Sequence, residues 1–486
     1  MRCVRLNNIN KKINFTLTKT NEKIKIQKMK FKTINPATED VIAEYESKPK
    51  DKVLDAAKKS RAAFHEWKQL DISERAYYFR RLAQVLRDNR ERYARLMTLE
   101  MGKPIKQSLT EIEKCAWGAE VYADNAAKWL EEEIVHADGK KHIVAFEPLG
   151  CILSIMPWNF PFWQAFRFGI PTLIAGNVSI LKHSNIVPQC ALAVEDAFNE
   201  AGFPQNVFKT VITDHEAVGE LIKSDLVQGV SLTGSTSAGA RVAELAGRNL
   251  KKVVLELGGS DPFIVLDDAD VEFAAKSAVS GRTVNSGQSC IAAKRFIVMK
   301  SIADEFSKIF AEKTNALVVD DPMDMNTDVG PLASKDGLMQ VEAQVHDAVM
   351  KGASILAGAK RLERKGYFYK PTILSNIKID MKVVTEEVFG PVAPVIYVND
   401  DEEAIKVANS SEFGLGASIW TKDESKGLEI AKRIEAGGVF INSIVKSDPR
   451  MPFGGIKKSG IGRELSKYGL KEFVNIKGIN LYEIKR

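Results

Sequence analysis

The chain has 486 residues, 45% of them hydrophobic, and a formal net charge of +6, which is material for two or three domains around a sizeable core. Residues 1–28 hold eight Lys/Arg against Glu22 alone, leaving 61 basic and 62 acidic residues in the body; a body this close to neutral excludes a basic stripe that follows nucleic acid. The five cysteines show no repeated spacing and the six histidines form no ligand pattern, which points to a reducing compartment and no metal site, and no apolar run reaches the roughly 18–20 residues that cross a bilayer.

Along the chain, residues 1–28, rich in Lys, Asn and Ile, read as a disordered basic extension ahead of a conventional start at Met29, with organellar targeting as the alternative. From 52 to about 133, apolar residues recur three and four apart, which predicts three helical segments, one of them capped near Ser73. From about 143, short β-branched runs (IVAFEP, GCILSIMP, VSILKH, FKTVIT, VQGVSLTG, KKVVLELGG, PFIVLDD) alternate with helical stretches, the texture of a parallel α/β sheet. A second α/β stretch runs from about 260 to 440, and the tail from 465 ends in alternating apolar residues that suit an edge strand, which pairing with another subunit would protect.

Three runs carry chemistry. Cys290, in SGQSC, is predicted on a loop 34 positions after Glu256 in LELGG, itself at a strand end, so a nucleophile and a base are available; a small buried hydrophobe and a turn-capping acid are the plain alternatives. Segment 227–246 reads strand, turn, helix, and the amides near Gly234 and Ser235 could meet an anion, although an ordinary βα turn has the same look. In IMPWNFPFW, Asn159 sits between Trp158 and Phe160 with Pro161 opening a helix; its amide is either a held oxyanion donor or a helix cap.

Taken with EEVFGPV at 386–392 and PFGGIKKSGIGRELSKYG at 452–469, these motifs over residues 30–486 resemble the NAD(P)-dependent aldehyde dehydrogenase superfamily, most closely its bacterial and archaeal succinate-semialdehyde dehydrogenases. The resemblance implies an α/β fold: a Rossmann-like cofactor domain (29–131 and 151–257), an α/β catalytic domain (258–440), and a small β oligomerisation extension (132–150 and 475–486). It implies Cys290 as nucleophile, Glu256 as general base and Asn159 as oxyanion donor. Trp158, Lys182, Ser184, Asn185, Gly234, Ser235, Leu257, Glu387 and Phe389 are implied in binding NADP or NAD, and Arg167 with Phe453 in binding substrate. A cytoplasmic homodimer or homotetramer acting on a small aldehyde is expected, with no nucleic-acid, membrane or metal partner.

Two positions depart from the pattern. Asn185 stands where NAD-preferring relatives place a glutamate, so a ribose phosphate would meet Lys182 without repulsion and NADP is favoured. Val284 stands where some of these enzymes carry a second carboxylate-binding arginine, leaving Arg282 or Arg450 as substitutes. Another short aldehyde, a CoA-acylating reaction, and a non-catalytic binding protein are the competing readings; Glu256 argues against the second and the intact Cys290/Glu256 pair against the third.

Overall fold

The computed structural model describes residues 29–484; the basic extension 1–28 and the last two residues lie outside the described part. The chain opens with an antiparallel hairpin, Lys30–Ile34 with Val41–Glu46, which the sequence reading left unassigned. Four helices follow, Lys50–Trp67, Ile72–Asp88, Arg90–Met101 and Ile105–Trp129. The long middle segment breaks at Asn89, and its start differs from expectation: Asp71, not Ser73, opens the helix, with the Glu74 carboxylate accepting from the Asp71 N–H at 2.7 Å.

A six-stranded sheet takes the order Gly460–Ile461, Lys252–Glu256, Gly229–Thr233, Cys151–Met156, Val178–His183, Phe208–Thr210, parallel except for the first short strand. The chain starts in the middle at Cys151–Met156, builds outward on one side, then returns to the other side at Gly229–Thr233. That reversal opens a crevice at the carboxyl ends of the two strands, the position where open α/β sheets bind ligands. Asn159, Gly234 and Glu256 all follow or end strands at this rim.

A seven-stranded sheet holds, among others, Val392–Val398, Ala293–Met299, Asp261–Val265 and Gly416–Trp420 side by side and parallel. The loops that enter its strands carry Cys290, Gly259 and Glu387. A three-stranded antiparallel sheet joins Val474–Leu481, Lys141–Pro148 and Glu133–Val135. The predicted tail strand therefore exists and pairs within the chain, leaving Ile476, Ile479 and Leu481 exposed along an edge.

The Pro161–Ile174 helix ties this frame to the site. Every one of its residues is buried, Gln164 and Arg167 included, so its orphan N-terminal N–H groups cannot reach water. Glu111, on the Ile105–Trp129 helix, supplies the acceptor: one carboxylate oxygen takes the N–H of Phe162 at 3.0 Å and of Trp163 at 2.9 Å, and the other pairs with the buried Lys103. Removing Glu111 would leave a buried ammonium and two amides without partners. Glu111→Ala is expected to cost about 3–5 kcal/mol, read as a fallen thermal midpoint, with part recovered by adding Lys103→Met; an unaltered midpoint in the single variant contradicts this anchor.

Candidate active site

Cys290 occupies a loop with unusual backbone. Asn285, Ser286 and Gly287 all adopt left-handed conformations, with φ of 52°, 55° and 76°, which for a non-glycine residue costs about 1–2 kcal/mol. Side chains offset the cost: Asn285 Nδ2 donates to the carbonyls of Asn159 (2.7 Å) and Gln288 (3.1 Å), and Ser286 Oγ bonds both the carbonyl and the N–H of Gly330 at 3.0 Å. At position 287 only glycine fits, since a Cβ would lie 2.4 Å from the Gly390 carbonyl.

Two buried cations clamp this loop. Arg282 donates to the carbonyls of Gly287 (2.7 Å), Gly390 (2.6 Å), Val388 (3.2 Å) and Ala293 (2.8 Å). Lys294 Nζ donates to the carbonyls of Cys290 (2.7 Å) and Ser289 (2.9 Å) and lies 3.6 Å from Glu387 Oε1. Arg282 is thus a structural cation whose donors are spent on the backbone, not a stand-in for the arginine missing at Val284. Arg450 is no substitute either: it is exposed, held by Asp448 at 2.7 Å, and packed over Trp117.

The Cys290 side chain, half-buried, faces a cavity of about 260 Å³ together with Arg167, Phe453, Phe160, Trp163 and Lys114. Burial pushes the Cys290 thiol up to about 12, against the pull of the Arg167 and Lys294 charges. The other described thiols, Cys115, Cys151 and Cys190, are fully buried. Asn159 is buried and held by hydrogen bonds: Nδ2 donates one hydrogen to the Gln288 carbonyl at 3.0 Å, and Oδ1 accepts from Gln164 at 3.1 Å. One Nδ2 hydrogen remains beside the cysteine loop.

Glu256 ends its strand with both carboxylate oxygens buried and without hydrogen-bond partners. Burial, reinforced by the nearby Glu464 carboxylate and opposed by Arg167, holds its carboxyl well above the usual range. Gly454, at φ 146°, leaves it room; a Cβ there would sit 2.5 Å from Glu256 Oε1. Arg167 forms an ion pair with Glu464, donates to Thr233 Oγ1 at 3.3 Å, and stacks 4.7 Å from the Phe453 ring centre. Glu464 was absent from the sequence reading because its acid lies in a surface-like stretch, GRELS, whose fold-back against Phe453 is a long-range bridge.

The residues expected around a dinucleotide fall at or just beyond strand ends and in the loop that enters Val392–Val398. Lys182 is buried rather than the surface lysine its type suggests, burial lowers it to about 8, and among the described residues it makes no hydrogen bond or ion pair. Ser184 and Asn185 form the turn after its strand, Ser184 Oγ accepting the Ile186 N–H at 3.3 Å. Gly234 donates its N–H to the Glu256 carbonyl at 2.9 Å, and Ser235 caps the Thr236–Arg248 helix through the Ala238 N–H. Leu257 is tied to the Ser459 carbonyl at 2.8 Å and leaves no space for a side chain at Gly239. Glu387 accepts the Gly259 N–H at 3.1 Å, and Phe389 meets Trp158 edge to face at 5.7 Å. Hydrogen bonds thus link Asn159 to the cysteine loop through the Gln288 carbonyl, and Glu256 to the turn that opens the Thr236–Arg248 helix through the Gly234 N–H.

A family model for the aldehyde dehydrogenase family matches residues 24–479. The chain is 46% identical to the succinate-semialdehyde dehydrogenase (NADP+) 1 of Mycobacterium tuberculosis strain H37Rv over 454 residues, covering 93% of this chain and 99% of that one. Among solved structures, the succinic semialdehyde dehydrogenase of Streptococcus pyogenes in complex with NADP+ superposes with a TM-score of 0.91 at 36% identity, covering 93% and 100% of the two chains. An NAD-dependent aldehyde dehydrogenase of Sinorhizobium meliloti gives a TM-score of 0.91 at 32% identity, covering 93% and 91%.

A thiol held this high has little thiolate at neutral pH, and its thiolate fraction grows with each unit below the pKa. Iodoacetamide labelling of the Cys290 peptide in cofactor-free protein is expected to speed up roughly tenfold per unit between pH 7 and 9. A plateau already reached near pH 7 contradicts the raised thiol.

Proposed function

The chain belongs to the aldehyde dehydrogenase family, and on that premise we propose that it oxidises succinate semialdehyde to succinate with NADP+ as the preferred acceptor. The observation that carries the reading is the half-buried Cys290 thiol facing a small cavity walled by Arg167. At about 260 Å³ the cavity falls below the roughly 300–1,000 Å³ of pockets for drug-sized ligands, which suits a short aldehyde.

Cys290 adds as thiolate to the aldehyde carbon, and the alkoxide that forms accepts hydrogen bonds from the second Asn159 Nδ2 hydrogen and the Cys290 N–H. NADP+, when bound, supplies the hydride acceptor that turns the thiohemiacetal into a thioester on Cys290. Glu256, in its ionised form, then takes a proton from a water whose oxygen attacks the thioester; the C–S bond breaks, the thiolate leaves, and the acid is released. A carboxylate whose pKa is raised by burial is the stronger base toward that water, and the glycine at 454 leaves its side chain room to turn. Arg167, held by Glu464 and flat against Phe453, lends positive potential to the wall along which the substrate carboxylate lies.

The crevice fits a phosphorylated dinucleotide. Lys182 is a buried ammonium without a partner, and Asn185 brings no negative charge near it. The N–H groups at the start of the 13-residue Thr236–Arg248 helix suit a pyrophosphate, with Gly234 and Ser235 at the turn, Trp158, Ser184 and Leu257 along the rim, and Glu387 and Phe389 toward the nicotinamide end. The exposed edge Val474–Leu481 suits a homo-oligomer built by strand pairing. The free thiols suit a cytoplasmic protein; among the described residues no helix is long and apolar enough to cross a membrane.

In single-turnover assays with NADP+ and succinate semialdehyde, Glu256→Gln is expected to release about one equivalent of NADPH per site and then stall. Cys290→Ala should give no burst while binding NADP+ with an affinity within about threefold of the parent. Steady turnover by the glutamine variant removes Glu256 from the base role.

A further inference from the structure

The Ile105–Trp129 helix turns one stripe toward the cavity: Gln107, Thr110, Glu111 and Lys114, spaced three and four apart. Lys114 is the last of these, half-buried. Its Nζ donates to Ser447 Oγ at 2.7 Å and lies 4.6 Å from the centre of the Trp163 ring, while Trp163 Nε1 donates to the same Ser447 oxygen at 3.1 Å. One hydroxyl and one aromatic face thus fix the ammonium, and two of its three N–H donors are left over.

The charge count around the cavity is uneven. Lys103 is matched by Glu111, whose other oxygen is taken by two backbone amides. Arg167 is matched by Glu464, and Asp448, the acid next to Ser447, is matched by Arg450. Lys446 also lines the cavity but is exposed to water. Among the described residues, Lys114 makes no ion pair, so it is the one cation both sheltered in the cavity wall and lacking a counter-charge. Burial first, and the Arg167 charge second, lower it to about 8, a sign that the site would be relieved by an anion.

We propose that Lys114 is the specificity residue that binds the carboxylate of the substrate's far end, with Ser447 and Trp163 positioning its ammonium and Cys290 receiving the aldehyde at the other end of the same cavity. This rests on the acyl-transfer reading of Cys290 given above and assigns its substrate class: short aldehydes bearing a terminal carboxylate. Arg167 shares the wall, but its charge is already met by Glu464, so the uncompensated attraction comes from Lys114.

The test compares kcat/KM for succinate semialdehyde and for butyraldehyde, an uncharged aldehyde with the same chain length, in the full-length parent, Lys114→Met and Lys114→Arg at saturating NADP+. In Lys114→Met the succinate-semialdehyde to butyraldehyde ratio is expected to fall at least about 30-fold, the loss appearing mainly in KM for the charged substrate, and Lys114→Arg is expected to recover most of it. A parent that prefers succinate semialdehyde and a methionine variant with the same ratio, whether both activities fall together or neither does, overturns the assignment while leaving the substrate class standing. A parent without that preference overturns the substrate class and the assignment with it.

Discussion

The position of Cys290, the proposed nucleophile, depends on two buried cations that bond backbone carbonyls rather than carboxylates. Arg282 and Lys294 together take seven carbonyl oxygens from the cysteine loop, its exit strand and the 388–390 turn. Three successive left-handed residues persist at 285–287 because this clamp and the Asn285 and Ser286 side chains outweigh their strain. Neutral hydrogen bonding would not serve as well, since charge-assisted donors are roughly twice as strong. The cost is carried by the cations themselves: burial lowers Arg282 to about 9.

The same logic extends outward. Pro161–Ile174 can be buried on every side only because Glu111 accepts its first amides, and that anchor fixes Asn159 one turn earlier, against the Gln288 carbonyl. Lys294 reaches Glu387, which in turn holds Gly259 at the entry of the adjacent strand. These loops from two sheets are therefore one hydrogen-bonded body, and both Glu256 carboxylate oxygens are buried without a hydrogen bond, as suits a group that must change protonation and move.

Local pattern made much of the fold legible. The seven β-rich runs between about 143 and 268 reappear as strands, because β-branched apolar residues bounded by turns leave few alternatives. The break at Asn89 and the Asp71 start were missed because an amphipathic period continues across both. Local pattern alone did not show which strands share a sheet: 141–148 and 261–265 look like their neighbours yet leave for other sheets, and only the family resemblance set 132–150 apart and began a new unit at 258. At the site, runs of unusual composition exposed Cys290, Glu256 and Asn159. Lys114, Glu464 and Lys294 were invisible as site residues, and Arg282 was considered only as a carboxylate ligand, since a charged residue in an ordinary stretch of chain reads as solvated until the tertiary fold buries it.

The central claim is that the clamped Cys290 carries the acyl group. Its most direct measurement is peptide mass spectrometry of Glu256→Gln quenched with acid after mixing with succinate semialdehyde and NADP+. A succinyl adduct is expected on the Cys290 peptide in proportion to the NADPH formed. NADPH formed with no adduct on Cys290, or with the acyl group on Cys115, Cys151 or Cys190, would contradict the account.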